Sequence, residues 1–379
     1  MSDASHRVHG VGPEDAAPDW PPLRADEVDT LLAAYPPLAA GPHRITWHSP
    51  RPLSAAALVE TAHGPLFIKR HHRSVRSADG LEEEHRFMAH LRDRGLPVVE
   101  VFADAHGRTA HAHGAWTYEV HRAGIGADLY RETTSWTPLT DLAQARQLGA
   151  MLARLHLAAA DYAAPQRSTH LLVARDDLIR AADPVAALQA QLAQRPALAE
   201  WLRGRDWQAD FERHLLPWHA GLAEALRDEP RLWAHNDLHV SNLLWQSQAD
   251  APRISSVLDY GLASPTGALF DLATAIERNA IAWLSLEDGL DAAHVDTALA
   301  LLAGYRTVAP LVPDRVRLLA DLLPLVHLDF ALSEVEYFHA ITHAPDNAQV
   351  AYATFLLGHA DWFASAAGQA LLQALRAAA

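Results

Sequence analysis

Past residue 43 the apolar positions come in short runs, at 44–47, 56–61 and 66–70, rich in β-branched and aromatic residues and broken by Gly and Pro. That pattern predicts antiparallel strands, with His63-Gly64-Pro65 as a tight turn. The period then changes. Leu81, Phe87, Met88 and Leu91 fall at helical spacing and predict a helix over 79–94, capped by Asp79 and closed by Gly95 and Pro97. Residues 98–102 and 115–121 predict two further strands around a His106-Gly107-Arg108 turn, and 25–34 a short helix. Residues 1–24 hold Pro, Asp and Gly without periodicity and predict a mobile tail.

Beyond Gly124 and Gly126 the pattern is helical: residues 139–160, 177–194, 197–225 and nearly all that follow 271 carry Leu and Ala at i, i+3, i+4. One island, 232–259, instead shows apolar triplets flanking polar loops, which predicts short strands bearing a loop. Three segments follow: a tail and short helix over 1–40, a sheet-rich lobe over 41–121, and a helical lobe over 122–379.

Composition narrows the chemistry. The chain has 379 residues, 50% of them hydrophobic and 20% charged, enough for two packed domains and incompatible with wholesale disorder. Its formal net charge of −15 argues against nucleic acid or an anionic membrane as partner and favours small ligands that are cationic or carried with a metal ion. Cysteine is absent, which removes disulfides, thiolate metal sites and thiol nucleophiles. The first twenty residues carry Asp3, Glu14, Asp15 and Asp19 with no apolar run, and no later stretch is apolar enough to span a bilayer, so a cytoplasmic location is expected. Among 31 basic residues a single one is lysine, Lys69. A composition that replaces lysine everywhere else points to a position needing a compact ammonium rather than a planar guanidinium.

The island reads His235-Asn236-Asp237-Leu238-His239-Val240-Ser241-Asn242, followed by Asp259-Tyr260-Gly261. This resembles the aminoglycoside phosphotransferase and choline kinase superfamily, relatives of the protein kinases, whose catalytic loop is His-x-Asp-x-x-x-x-Asn followed by a metal-binding Asp. The resemblance covers about residues 44–280 and implies a protein-kinase-like α+β bilobal fold with the active site between lobes. It implies transfer of the ATP γ-phosphoryl group, with Mg2+, to a hydroxyl of a small molecule. Asp237 is then the residue that orients and deprotonates the acceptor, His235 its buttress, and Asn242 and Asp259 the oxygen ligands of the metal. Lys69 holds the donor phosphates, Glu84 on the next helix pins it, and 115–124, with Glu119 and His121, is the linker whose backbone meets adenine. Asp271, in Asp271-Leu272-Ala273, begins a helix that steadies the loop.

The segment that should cover the phosphates, 48–57, has no glycine, so backbone amides near Ser54 are expected to substitute. The Asn236 position, commonly Gly, is expected to matter little. The chain from Asp259 to Asp271 is too short for a phosphorylatable activation loop, which argues against protein substrates. Glu277, Asp329 and Glu336 lie downstream, and the spacing of the last two places them on one helix face, where they would hold an amine-bearing acceptor: an amino sugar, a choline-like amino-alcohol or a hydroxy amino acid. Two other readings stand beside this one, a nucleotide-binding pseudokinase scaffold and a metallohydrolase using His235, Asp237 and His239.

Overall fold

The computed structural model describes residues 6–12, 14–134, 136–246 and 251–379. Two units divide the chain: Met1–Ser135 with Leu243–Ser247 and Ser255–Leu258, and Trp136–Asn242 with Gln248–Ile254 and Asp259–Ala379.

The first unit holds, in order, β1 (Val8–His9), β2 (Asp15–Ala16), α1 (Ala25–Leu32), β3 (Arg44–His48), β4 (Ala55–Glu60), β5 (Leu66–His72), α2 (Ala78–Asp93), β6 (Ala110–His113) and β7 (Trp116–Arg122). An antiparallel sheet of order β3-β4-β5-β7-β6 organises it, with Lys69 opposite Glu119 and Phe67 opposite His121. Strand period two sorts the side chains. Ala55, Ala57 and Val59, Leu66 and Ile68, and Tyr118 and Val120 face a core shared with Val28, Leu31 and Leu32 of α1. Each fully buried Val or Leu there contributes about 1.5–3 kcal/mol. The alternate positions, Lys69 and His71 on β5 and Glu119 and His121 on β7, are polar yet buried, together with Glu84 and His85 of α2.

Three local expectations are revised. Of the expected tail over 1–24, residues 1–5 and 13 lie outside the described residues, and the described part is not a tail: Leu23 is buried in the α1 core, Trp20 packs on it, and the Arg70 guanidinium donates to Pro21 O. The segment is aperiodic because it is a strap of irregular backbone, not because it lacks contacts. The cap of α2 is Ser77, whose hydroxyl accepts from Gly80 N at 3.1 Å, while Asp79 pairs with Arg108 at 2.6 Å. Residues 98–102 form no full strand, only isolated bridges at Val98–Val257 and Val101–His121, with Phe102 N and Glu100 O bonding to β7.

The second unit is helical. Its helix α3 (Leu142–Ala159) runs against the helix Val295–Arg306. A Cβ on Gly149 would strike Leu301 O and one on Gly304 would strike Arg146 O, so two glycines permit this backbone approach. The helix Ala268–Ala280 lies inside the unit, buried at every position from Leu269 to its end. The expected helix over 197–225 is broken into shorter pieces at Gly204 and Gly221, both at positive φ, and that over 177–194 at Asp183-Pro184, where Asp183 caps a new helix. Among the described residues no helix is long and apolar enough to cross a membrane.

Candidate active site

In the first unit, register puts Lys69 and Glu119 side by side, Nζ to Oε1 at 3.7 Å. Glu119 is completely buried, and His71, His85 and His121 each bring Nε2 to 2.8 Å from its carboxylate. Burial alone would push the Glu119 carboxyl up, but His121 and Lys69 beside it prevail and hold it well below the usual carboxylate range. Burial pushes His71 down. Glu84 is buried on α2, as the sequence pattern of that helix requires.

The assignment of Glu119 and His121 to an adenine-binding linker is corrected. Phe102 N donates to Val120 O and Arg122 N to Glu100 O, so the backbone groups of the intervening residues face β5, opposite Lys69 and Phe67. Strand β7 has no spare backbone there, and any backbone contact to a base falls to residues beyond Arg122. Ser54 ends the turn between β3 and β4, half-buried, next to Leu53 at φ 76°. The turn thus adopts a glycine-like conformation without glycine.

In the second unit the loop that bears Asp237 hangs from the helix Ala268–Ala280. Asp271, fully buried, accepts from His235 N at 3.0 Å and Asn236 N at 2.9 Å, and its Oδ2 lies 3.0 Å from His156 Nε2. His156 is set in turn by the Tyr305 hydroxyl at 2.9 Å. Two turns on, Asn279 accepts from Val240 N at 3.1 Å and donates to Leu238 O at 2.9 Å. Asp237 N donates to His235 Nδ1 at 3.2 Å, and Tyr260 packs on the His235 ring at 4.5 Å between centroids. Asn242 donates from Nδ2 to Asp237 O at 2.8 Å and to Oδ2 at 3.2 Å. Arg278 Nε lies 2.9 Å from Asp237 Oδ1, an ion pair whose angle is not that of a hydrogen bond, since neither atom has a hydrogen-bond partner among the described residues. Asp259 sits at φ 55° and accepts from Gly261 N at 3.3 Å. Asp tolerates that left-handed conformation where most side chains would strain.

Arg278 and Asn279 escaped the sequence reading, in which Asn236 is expected to matter little. Asn236 matters more than expected: at φ 61° and fully buried, it donates to Ala234 O and Ser264 O at 3.2 Å and accepts from Thr266 Oγ1 at 2.7 Å. Its tolerance of positive φ was the available signal. His235, Asp237 and His239 do not converge as a metal site; His239 Nε2 is 3.8 Å from Asp237 Oδ2, and among the described residues the His/carboxylate group close enough to share an ion is another one, His85, Glu119 and His121.

The three candidate acceptor acids are all buried, and they separate. Glu336 is consumed by Arg195 and His170, both at 2.9 Å, so its assignment to an amine substrate is corrected. Asp329 accepts from Leu178 N at 3.3 Å; burial first, and the nearby Asp177 charge second, push its carboxyl up to about 7. It is structural too. Glu277 differs: it lines a cavity of about 10 Å3, the size of one water, with Asn236, Arg278, Arg175, His327 and Phe330, and its Oε2 is buried without a hydrogen-bond partner among the described residues. Burial would raise its carboxyl, but His359 at 3.5 Å and the Arg278 charge hold it down at about 2, so it is ionised at neutral pH.

Asp329 carries a stability prediction. Between its ordinary value of 3.8 and about 7 the folded chain keeps a proton that the unfolded chain has lost, so its contribution to stability falls as pH rises through that window. The cost at pH 8 is on the order of a few kcal/mol, at ~1.4 kcal/mol per pH unit. Asp329→Asn should therefore melt above the wild type at pH 8 and lose that advantage at pH 4. Parallel melting curves with no pH dependence in the difference would contradict the burial argument.

Residues 53–311 match the phosphotransferase enzyme family. A homoserine kinase of Polaromonas naphthalenivorans (strain CJ2) is 28% identical over 255 residues, 66% of this chain and 69% of that protein. An amicoumacin kinase solved with AMP-PNP and Ca2+ superposes with a TM-score of 0.56 at 14% identity, over 87% of this chain and 93% of its own. A microcompartment-associated aminopropanol kinase gives 0.56 at 17% identity, over 93% of this chain and 98% of its own. With the α+β fold of those kinases and a family match spanning most of its length, the chain belongs to the phosphotransferase enzyme family, as an ATP-dependent enzyme that phosphorylates hydroxyl groups of small molecules.

Proposed function

We propose that the protein moves the γ-phosphoryl group of ATP, held with Mg2+, onto the hydroxyl of a small molecule that also bears an amine. The observation that supports the amine is Glu277: a buried carboxylate, ionised beside His359 and Arg278, whose Oε2 has no hydrogen-bond partner among the described residues, lining a cavity the size of one water, one residue from the arginine that pairs with Asp237. A buried carboxylate oxygen without a hydrogen-bond partner is costly, and a substrate ammonium donating to it removes that cost.

The donor set fits a hard cation. Asn242 turns its amino group onto Asp237, which directs the amide oxygen away as a ligand, and Asp259 adds a carboxylate. Bound Mg2+ would offset phosphate charge. Lys69 would hold the phosphates, its neighbouring carboxylate Glu119 and, from the helix that follows, Glu84 keeping the ammonium in place, and the turn at Ser54 would supply backbone amides. Asp237 would accept the hydroxyl proton as the acceptor oxygen bonds to phosphorus and ADP leaves. His235, packed on Tyr260 and accepting from Asp237 N, fixes the loop rather than the reaction.

A screen for ADP release tests this. Homoserine, ethanolamine, aminopropanol and aminoglycosides are compared with sugars of similar size lacking an amine, and Glu277→Gln is run beside the wild type. The amine-bearing alcohols should turn over best, and the Gln variant should raise their KM at least tenfold. Preference for a neutral sugar would overturn the acceptor class. ATP binding with no turnover of any acceptor would favour the scaffold reading.

A further inference from the structure

We infer that His85, His121 and Glu119 form a binding site for a zinc-class divalent cation inside the first unit, separate from the Mg2+ ligands of the reaction. His85 Nε2 and His121 Nε2 each lie 2.8 Å from the same oxygen, Glu119 Oε2, and the three ligand atoms all fall within 4.8 Å of one another. All three residues are buried. Two neighbouring elements build the site: β7 sends Glu119 and His121 to one face two residues apart, and α2 lays His85 over them.

The donors suit such an ion. Two imidazoles are borderline ligands that favour Zn2+ over Mg2+, the carboxylate serves either ion, and three protein ligands leave one position open. Tetrahedral ligand atoms about 2.0–2.1 Å from Zn2+ stand about 3.3 Å apart, so the present spacing needs to open by roughly 0.5 Å. His85 Nδ1 is 2.9 Å from Thr109 Oγ1, a hydroxyl that can accept from Nδ1–H and so hold the tautomer whose Nε2 is a bare ligand. The carboxylate is divided as well: Oε2 faces His85 and His121, while Oε1 faces His71 at 2.8 Å and Lys69 at 3.7 Å. Coordination through Oε2 alone therefore leaves Lys69 its counter-ion, and its anion compensates part of the metal charge.

Full-length protein, stripped with a chelator and titrated with Co2+, gives a direct readout. About one Co2+ per chain should bind with the visible absorption of a low-coordinate nitrogen and oxygen site, and Zn2+ but not Mg2+ should bleach it. His85→Gln and His121→Gln should each weaken Co2+ binding at least tenfold. His63→Gln and His106→Gln, at exposed positions, should leave it unchanged and so account for adventitious binding in a chain with 24 histidines. If a site variant fails to fold, the wild-type spectrum still decides. Absence of the visible band in wild type, or a band indifferent to both site variants, would overturn the proposal and leave the cluster as a hydrogen-bonded hub around Glu119.

Discussion

Replacing Asp237 by asparagine should lower turnover by about 10²-fold or more while leaving ATP affinity close to wild type. The amide keeps the volume and one oxygen for Asn242 to donate to, but it accepts no proton from an acceptor hydroxyl. Asp237→Asn and Asp237→Ala both leave Arg278 as a buried guanidinium without the carboxylate 2.9 Å away, so both should lose stability, the alanine more because it also removes the acceptor for Asn242. Both variants should therefore lose turnover and melt below the wild type, the alanine lower. Turnover by the asparagine variant within about tenfold of wild type would remove Asp237 from the reaction, and wild-type melting of both variants would show that Arg278 does not depend on it.

The legible parts of the fold are those governed by local pattern. Strands at β4, β5 and β7 and the long helix α2 follow from period two and period 3.6 in the chain itself. Asp237 and Asn242 meet because they share one short loop, and Asp271 reaches that loop because a family motif marked it. What sequence could not order was burial. Glu336 and Asp329 read as one acidic helix face, yet they are buried against different elements, one against Arg195 and His170 and the other against Leu178 N. Histidines at 71, 85 and 121 look scattered and unremarkable until the register of β5 with β7 and the packing of α2 bring all three to one carboxylate. Arg278 and Asn279 looked like ordinary helix residues because nothing local says that their helix is the buried one.

That buried helix sets the last expectation, at Asp271. Its carboxylate is acceptor to two consecutive backbone amides and partner to His156, with no exposure to water. Asp271→Ala would strand the His235 and Asn236 amides where solvent does not reach, at about 1–3 kcal/mol each, and leave His156 with Tyr305 alone. A loss of about 3–5 kcal/mol in unfolding free energy should follow. Asn236 is held at φ 61° partly by that bond from its own amide, so the loop should also relax toward the more populated right-handed region and carry Asp237 out of place. Activity measured well below the melting temperature should then fall by at least tenfold, beyond what unfolded protein explains. Asp271→Asn, which keeps one oxygen acceptor but turns an N–H toward the other amide, should lie between alanine and wild type in both measurements. A variant that melts early yet turns over normally while folded would show that Asp271 supports the unit without setting the loop; wild-type values in both would show that the amides find other acceptors.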